Sequence, residues 1–247
     1  MSEQEPLFAA QVSSAPVDPR PSGLVPARTV LQGQHIRLEP LNPAVHAEAL
    51  YAASHSDAAG RAIWTYLPEG PWPDAAAYAR HLGANAANLS RIFYALVDPT
   101  NGRAQGQASF MDIDAQSGVI EIGYIWFAPE LQRTRAATEA MFLMLDHALT
   151  GLRYRRMQWR CNAHNEKSRS AARRLGFRYE GTFYNHLIFK GLNRDTAWYS
   201  ILDDEWPQVH SRIAAWLADD NFDADGKPRS SLREAMDNRP PHARRIG

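Results

Sequence analysis

The sequence predicts an α+β fold, a mixed and mostly antiparallel sheet of six to seven strands flanked by helices. Strand-like and helix-like patterns alternate in the order β-α-α-β-β-β-α-β-α-β-β. The dipeptide Asn101-Gly102 between two apolar runs is a strong hairpin signal. A basic, small-residue turn, QRTRAATE at residues 132–139, leads directly from an apolar run into a helix.

Each predicted element has a local cause. Pro73 ends the loop before the second helix, and Ser117-Gly118 turns the chain into the strand that precedes the basic turn. Asn165 is a natural cap for a later helix, and Gly176 suits its end because glycine accepts a positive φ. The elements are a strand over 35–39, helices over 43–54 and 74–85, strands over 91–97, 105–112 and 119–127, a helix over 135–150, a strand over 156–161, a helix over 167–175, and strands over 177–184 and 195–202.

The ends of the chain differ from the middle in composition. Residues 1–29 are rich in Pro, Ser and Ala, which predicts a flexible arm. Residues 30–207 carry one continuous pattern and are expected to form one domain. Residues 208–247 are expected to form a helix and a polar tail. Within them, 220–247 resembles the N-terminal arm, with one helical turn around 232–236.

Composition excludes several classes of protein. The 27 basic residues are balanced by 27 acidic ones, which argues against nucleic acid as the main partner. A single cysteine forbids an internal disulfide and suits a reducing compartment. No apolar run reaches the roughly 18 residues needed to span a bilayer, and no signal peptide is visible at the N-terminus. We therefore expect a cytoplasmic protein that binds neither nucleic acid nor membrane.

The basic turn is the most informative stretch of the chain. The first turn of a helix has free N–H groups and a partial positive charge, and small side chains let a phosphate approach them. Arg133 and Arg135 add formal charge at the same place. The turn lies between EIGYIWFAP (121–129) and NEKSRSAARRLGF (165–177). Together these segments resemble the GNAT superfamily of acyl-CoA N-acyltransferases, and most closely its ribosomal-protein N-acetyltransferase branch.

The resemblance implies how an acyl-CoA would bind. In the family the fourth and fifth strands, here 119–127 and 156–161, splay apart, and the pantetheine arm pairs with free backbone of the fourth. By resemblance Ile125, Trp126 and Phe127 supply that backbone. The alternative interpretation is an ordinary buried strand. The expected cosubstrate is acetyl-CoA or another acyl-CoA, and no metal is expected.

The basic turn departs from the family pattern at one position. That pattern is Gln or Arg, two residues, Gly, one residue, then Gly or Ala. Arg135 replaces the central Gly, which normally allows a left-handed turn and close approach of the backbone to the pyrophosphate. An arginine there could still face a phosphate from the first helical turn. The residues expected to hold the cofactor at the turn are Gln132, Arg133, Thr134, Arg135, Ala136, Ala137 and Thr138.

The later motif is expected to contact the cofactor beside its thioester. In the resembled branch an Asn and the Ser three residues on do so, and these are Asn165 and Ser168 here. The alternative is that Asn165 only caps the helix. Arg169, Arg173 and Arg174 could reach the cofactor phosphates or could be solvated.

Catalysis of amide formation requires a group that accepts a proton from the attacking amine. Glu121 opens the fourth strand, near where family members often keep a carboxylate, and is the first candidate for the general base. Its alternative role is that of a surface strand-end residue. His186 is the second candidate base, with a structural histidine as its alternative. Ser168 is the candidate donor to the departing sulfur. A Cys161 nucleophile is disfavoured because no base lies beside it in sequence.

The acceptor site is expected to border IWTYLPEGPWP, residues 63–73. Trp64, Tyr66 and Trp72 could wall or cover it, and Glu69 could attract a cationic amine. The alternative is that the aromatic residues fill the core. On the other side of the pocket, Arg194 and Asp195 are expected to form a structural ion pair.

These observations predict an N-acyltransferase that moves acetyl from acetyl-CoA to a primary amine by direct attack. The acceptor is a small amine, an amino-acid-like compound or a peptide N-terminus. The main alternative is a non-catalytic acyl-CoA-binding or sensor domain. A kinase is disfavoured because the turn lacks the Gly-x-x-x-x-Gly-Lys-Ser/Thr sequence. A homodimer is left open.

Overall fold

The computed structural model describes residues 16–17 and 25–240. In these ranges eight strands form one sheet in the order β1-β2-β3-β4-β5-β6-β8-β7, and seven α-helices flank it. The strands are β1 Leu31–Gln32, β2 Arg37–Pro40, β3 Ile92–Val97, β4 Ala104–Asp114, β5 Val119–Phe127, β6 Arg156–Asn162, β7 Arg178–Phe189 and β8 Leu192–Leu202. The helices are α1 Pro43–His55, α2 Ala58–Ala62, α3 Ala75–Ala86, α4 Arg135–Asp146, α5 Glu166–Arg174, α6 Trp206–Leu217 and α7 Leu232–Asp237.

The sheet confirms the predicted mixed α+β fold and corrects its strand count. Every neighbouring pair of strands is antiparallel except β5 with β6, which is parallel. The strand that the sequence did not predict is β1, because two residues are too few to show alternation. The last two strands form a longer hairpin than predicted, turning at Lys190 and Gly191, both of which have positive φ.

The helices differ from the prediction at two places. The helix predicted over 135–150 is α-helical through Asp146 and ends in a π-helical turn, His147–Gly151. The predicted loop 63–73 begins as a 3₁₀ turn, Ile63–Tyr66, directly after α2. None of the helices in the described ranges combines the length and apolar character that a bilayer crossing requires.

The two faces of the sheet carry separate cores. On the first face, α4 to α7 pack over apolar side chains from every strand except β7. On the second face, α1 and α3 cover a smaller core that includes Leu50, Tyr78, Phe93 and Trp126. That second core contains no residue of β6, β7 or β8. The second face is therefore open over its C-terminal half.

The C-terminal segment was predicted to be a flexible arm with one helical turn. The helical turn is present as α7, but the segment is not free in the described part of the chain. Leu232 and Met236 are buried in the first core, and the indole N–H of Trp216 donates to Ser230 O at 3.0 Å. Residues 241–247, and all of the N-terminal arm except 16–17 and 25–29, lie outside the described residues.

Candidate active site

A gap opens in the middle of the sheet where β5 and β6 diverge. The two strands pair only through Val119–Glu121 and Arg156–Gln158. Beyond Glu121, β5 continues for six residues along β4 with no partner on the β6 side among the described residues. The free backbone on that side can accept an extended ligand as an added strand would. Glu121 therefore stands at the point where the strands separate.

Two β-bulges flank this point. The register between β4 and β5 shifts once between Met111 and Asp114 and once between Gln107 and Ser109. The bulged residues Asp112 and Tyr124 have positive φ angles of 46° and 52°. Bulges bend a strand and re-aim its side chains, and they are frequent next to active sites. The bulge at Asp112 turns its carboxylate onto Arg160.

Glu121 is buried, with 2% of its side chain exposed. Burial raises the pKa of its carboxyl to about 8, and the negative charge of Asp112 adds to this, while Arg160 opposes it. Arg160 Nε lies 3.0 Å from Glu121 Oε2, yet this oxygen has no well-aligned hydrogen-bond donor. We therefore regard the contact as a charge contact. Because Arg160 also pairs with Asp112, the carboxyl of Glu121 shares this cation with a second carboxylate.

The carboxyl of Glu121 leans toward the gap. A Cβ placed on Gly123 would lie 3.5 Å from Glu121 Oε1 and 2.3 Å from Met111 Sδ. Gly123 thus leaves the space that both side chains use. A buried carboxyl with a pKa near 8, at the head of a gap, has the properties of a general base.

The basic turn, residues 132–138, follows the free end of β5. Its left-handed residue is Arg133, with φ 65°, whereas Arg135 is the first helical residue of α4. The absent family glycine therefore does not disturb the turn, since any L-residue adopts helical angles. The Thr134 side chain caps α4 by accepting from Ala137 N–H at 3.1 Å. The N–H groups of Arg133, Arg135 and Ala136 have no acceptor in the described part of the chain.

The guanidinium of Arg135 does not point to the mouth of the turn. Its Nε donates to Leu217 O at 3.0 Å, and its Nη2 contacts Asp219 Oδ1 at 2.6 Å. The ring of Phe222 lies 4.3 Å from its guanidinium carbon. The hypothesis that the Arg135 side chain faces a phosphate is therefore wrong in this structure, because its guanidinium is bound by residues of the C-terminal segment. Only its backbone N–H is available at the turn.

Two other side chains of the turn, Gln132 and Thr138, form hydrogen bonds that fix it to neighbouring elements. Gln132 donates to Phe127 O at 3.0 Å, which ties the turn to the end of β5. Thr138 is buried and accepts from Arg174 Nη1 at 3.0 Å. Arg174 lies over the ring of Trp216 at 4.7 Å, and its burial lowers its pKa. This links α4, α5 and α6 behind the turn.

Helix α5 brings its polar residues to the other side of the gap. Asn165 caps the helix by accepting from Ser168 N–H at 3.1 Å. Ser168 Oγ accepts from the indole N–H of Trp159 at 3.0 Å, and its hydroxyl hydrogen can be donated to an acceptor such as the neighbouring Cys161 sulfur. Arg169 donates hydrogen bonds to Glu166 and to Ala163 O.

Cys161, on β6, is buried, and burial raises the pKa of its thiol, which does not suit a nucleophile.

The open half of the second face forms a groove beside Glu121. We call it the open groove and define it by Glu121, Arg160, His186, Arg194 and Trp198. Arg160 lies over the Trp198 ring at 5.2 Å, and His186 Nδ1 is 3.0 Å from Thr196 Oγ1. A cavity of about 360 Å³ lies on this face, lined by Arg156, Gln158, Glu180, Gly181, Phe183 and Trp198.

The segment 63–73 closes one side of the groove. Trp64 is 3% exposed and packs against Trp72 and Trp126, so the structure assigns Trp64 and Trp72 to the second core and not to a pocket wall. Tyr66 differs, since its hydroxyl donates to His164 O at 3.2 Å. Lys190 Nζ, at the tip of the β7–β8 hairpin, donates to Trp64 O at 2.8 Å. These two hydrogen bonds connect segment 63–73 to the part of the chain that contains β6, β7 and β8. Glu69 is exposed on this segment.

The predicted Arg194–Asp195 ion pair is wrong. Asp195 accepts from the Asn185 N–H at 2.8 Å and from the Asn193 amide at 3.0 Å. Arg194 points instead to the groove side, with the Phe189 ring 5.4 Å from its guanidinium carbon. Neighbours in a strand point to opposite faces, so the two side chains could not meet. Alternation along the last strand was the signal that could have placed Arg194 on the groove side.

Known proteins share this arrangement. A family model described as an acetyltransferase (GNAT) domain matches residues 35–178, more than half of the 247-residue chain. The chain belongs to the GNAT acetyltransferases. A GCN5-related N-acetyltransferase from Brucella melitensis has 42% identity and a TM-score of 0.84, covering 89% of this chain and 97% of that one. A GNAT-family protein from Chromobacterium violaceum has 35% identity and a TM-score of 0.74, covering 80% and 98%.

A curated relative is also similar over part of its length. It is a Bacillus subtilis (strain 168) protein provisionally named ribosomal N-acetyltransferase YdaF, 32% identical over 106 residues. The match spans 43% of this chain and 57% of that relative. The family and the enzyme class predicted from the sequence are therefore confirmed, while the acceptor stays a prediction.

Proposed function

We propose that this GNAT enzyme transfers the acetyl group of acetyl-CoA directly to a primary amine, with Glu121 as general base. The observation that carries the proposal is the position of Glu121, where β5 and β6 separate. A buried carboxyl there lies between a free strand edge and the open groove. The cosubstrate supplies an activated acetyl thioester, and the protein supplies position and a proton acceptor.

The free donors of the basic turn support binding of an acyl-CoA. Three backbone N–H groups without acceptors, at the start of a 12-residue helix, suit a pyrophosphate. Arg133 adds an exposed positive charge at the same turn. The unpaired edge of β5, including Ile125, Trp126 and Phe127, would hold the pantetheine amides. Asn165 and Ser168 border the gap from α5.

The chemical step needs a group that accepts a proton from the amine and a source of a proton for the departing sulfur. The amine nitrogen forms a bond to the acetyl carbon as the carbon–sulfur bond breaks. One amine proton passes to Glu121, directly or through a water. The departing thiolate takes a proton from solvent, directly or relayed by the Ser168 hydroxyl, which regains its proton from water. A pKa near 8 suits a base at neutral pH, because proton transfer is most efficient when the pKa of the base is near the working pH. His186 is the second candidate.

A release assay tests the proposal. Purified protein is incubated with acetyl-CoA and a panel of amines and peptides, and free thiol and acetylated product are both measured. Thiol release that depends on the amine, with a matching acetylated product, is the expected result. Tight acyl-CoA binding without turnover on any amine would favour the sensor function instead. Acyl-CoA hydrolysis without product would contradict both.

A further inference from the structure

One cation in the open groove, Arg194, has a buried donor without a hydrogen-bond acceptor in the described part of the chain. Arg194 Nε is buried and has no hydrogen-bond acceptor, and no ion pair involving Arg194 is present in the part of the chain that the structure describes. A buried N–H donor without an acceptor costs free energy, so the Nε of Arg194 calls for an explanation. The neighbouring arginine differs, because Arg160 pairs with Asp112 and contacts Glu121.

The strand register places Arg194 on the same side as the candidate base. Trp198 is paired with Arg160, and Thr196 with Asn162, across β8 and β6. Arg194 is two residues before Thr196 and therefore points to the same face. The charges of Arg160 and Glu121 both act on it, and its pKa is lowered mainly by burial. Arg194 and Glu121 thus lie on the two sides of the groove and interact through their charges.

We propose that Arg194 binds a carboxylate of the acceptor, so that the enzyme acetylates amines that also carry a carboxylate, as amino acids and related compounds do. This rests on the proposed function, because it names the acceptor of the same site. A guanidinium has a planar pair of donors that matches a carboxylate. One uncompensated positive charge suits a monoanion. Polyamines would meet two arginines in the groove and would be repelled.

The test compares an amino acid with its amide. Phenylalanine and phenylalaninamide differ in the carboxylate, and the aromatic ring suits a groove lined by Phe183, Phe189 and Trp198. The ratio of kcat/KM for the acid to that for the amide is measured in wild type and in Arg194→Met. We expect this ratio to fall about 10- to 100-fold in the variant, the loss of a charge-assisted bond of about 1.5–3 kcal/mol. The intrinsic reactivity of each amine cancels between the two proteins.

Controls separate this loss from damage to the fold. Arg194→Lys keeps the charge and should retain part of the preference, and Arg103→Met, in the exposed β3–β4 turn, should leave the ratio unchanged. A purely structural role would lower both activities together. An unchanged ratio in Arg194→Met would overturn the inference while transfer itself persisted.

A binding measurement needs no turnover. N-acetylphenylalanine and its amide are titrated into wild type and Arg194→Met by calorimetry, in the presence of CoA. Weaker binding of the acid alone in the variant supports the inference, and equal binding of both compounds overturns it. If no amine of the panel is acetylated, the proposed function fails, and this titration still decides whether Arg194 selects a carboxylate.

Discussion

The basic turn and the open groove each contain two arginines but are built in opposite ways. At the basic turn, backbone N–H groups are free, while the polar side chains other than the exposed Arg133 are engaged by neighbours, as Arg135 is by Leu217 and Asp219. In the groove the backbone is paired in the sheet, while the side chains of Glu121 and Arg194 are only partly satisfied. The turn would therefore bind the cofactor mainly through backbone N–H groups, and the groove would bind the acceptor through side chains.

This difference is expected to separate the part of the site that binds the cosubstrate, which a family can share, from the part that selects the acceptor. Backbone donors at a helix start bind a phosphate whatever the local side chains are, provided that they leave room. Side chains from β5, β6 and β8 can change one at a time without altering the fold, so we expect specificity for the acceptor to lie there. A substitution in one region is therefore expected to leave the other intact.

The largest effect is expected from Glu121→Gln. Loss of a general base typically lowers kcat by about 10²- to 10⁴-fold, or roughly 3–5 kcal/mol of barrier. The affinity for CoA should stay near wild type, because the turn is separate from the groove. Activity should partly recover at high pH, where more of the amine is neutral. A wild-type kcat in the variant across this pH range would place the base elsewhere, and His186→Gln would be tested next.

The same substitution should change how stability depends on pH. The carboxyl of Glu121 has a pKa of about 8 in the folded protein, against 4.5 in the unfolded chain. Between these values the folded state holds a proton that the unfolded state has lost, so wild type loses stability as the pH rises. Glu121→Gln lacks this loss, and its stability relative to wild type should rise through that window, by at most on the order of 4 kcal/mol. Denaturant unfolding at pH 5.5 and 8.5 measures it, and a constant difference would contradict the raised pKa.

Sequence and structure agree where the signal is local. The cap at Asn165, the helix after the basic turn and the Asn101-Gly102 hairpin were each predicted from a few adjacent residues. The structure departs from prediction where a partner is distant. Arg135 is held by Leu217, 82 positions away, and no pattern around either residue indicates this contact. The bulge at Asp112 sets the charge beside Glu121, and a one-residue register shift leaves no clear mark in hydrophobic spacing.

A pair of truncations should separate the two arginines of the basic turn. Arg135→Ala removes the bonds to Leu217 O and the contact with Phe222 and should lower the free energy of unfolding by about 1–3 kcal/mol. Arg133→Ala should change that free energy by less than about 0.5 kcal/mol, because the side chain is exposed. It should nevertheless weaken CoA binding more than Arg135→Ala does. Denaturant unfolding and calorimetry with CoA measure the two effects, and the opposite order in either one would refute the separate roles.

The smallest effect is expected from Tyr66→Phe, which removes one bridge across the groove. The hydroxyl of Tyr66 donates to His164 O at 3.2 Å, and a net hydrogen bond contributes about 0.5–1.5 kcal/mol. Without it, segment 63–73 loses a tie to the far side of the gap, so KM for the acceptor should rise about 2- to 10-fold while kcat and CoA affinity stay near wild type.

Tyr51→Phe is the matched control for this last change. The Tyr51 hydroxyl also donates to a backbone carbonyl, Pro73 O at 3.4 Å, but it ties the end of the same segment to α1 and not across the groove. It should leave KM unchanged, because the bridge to His164 remains. Equal increases of KM in both variants would mean that the segment acts through its general order, and the bridge would then have no separate role in holding the acceptor.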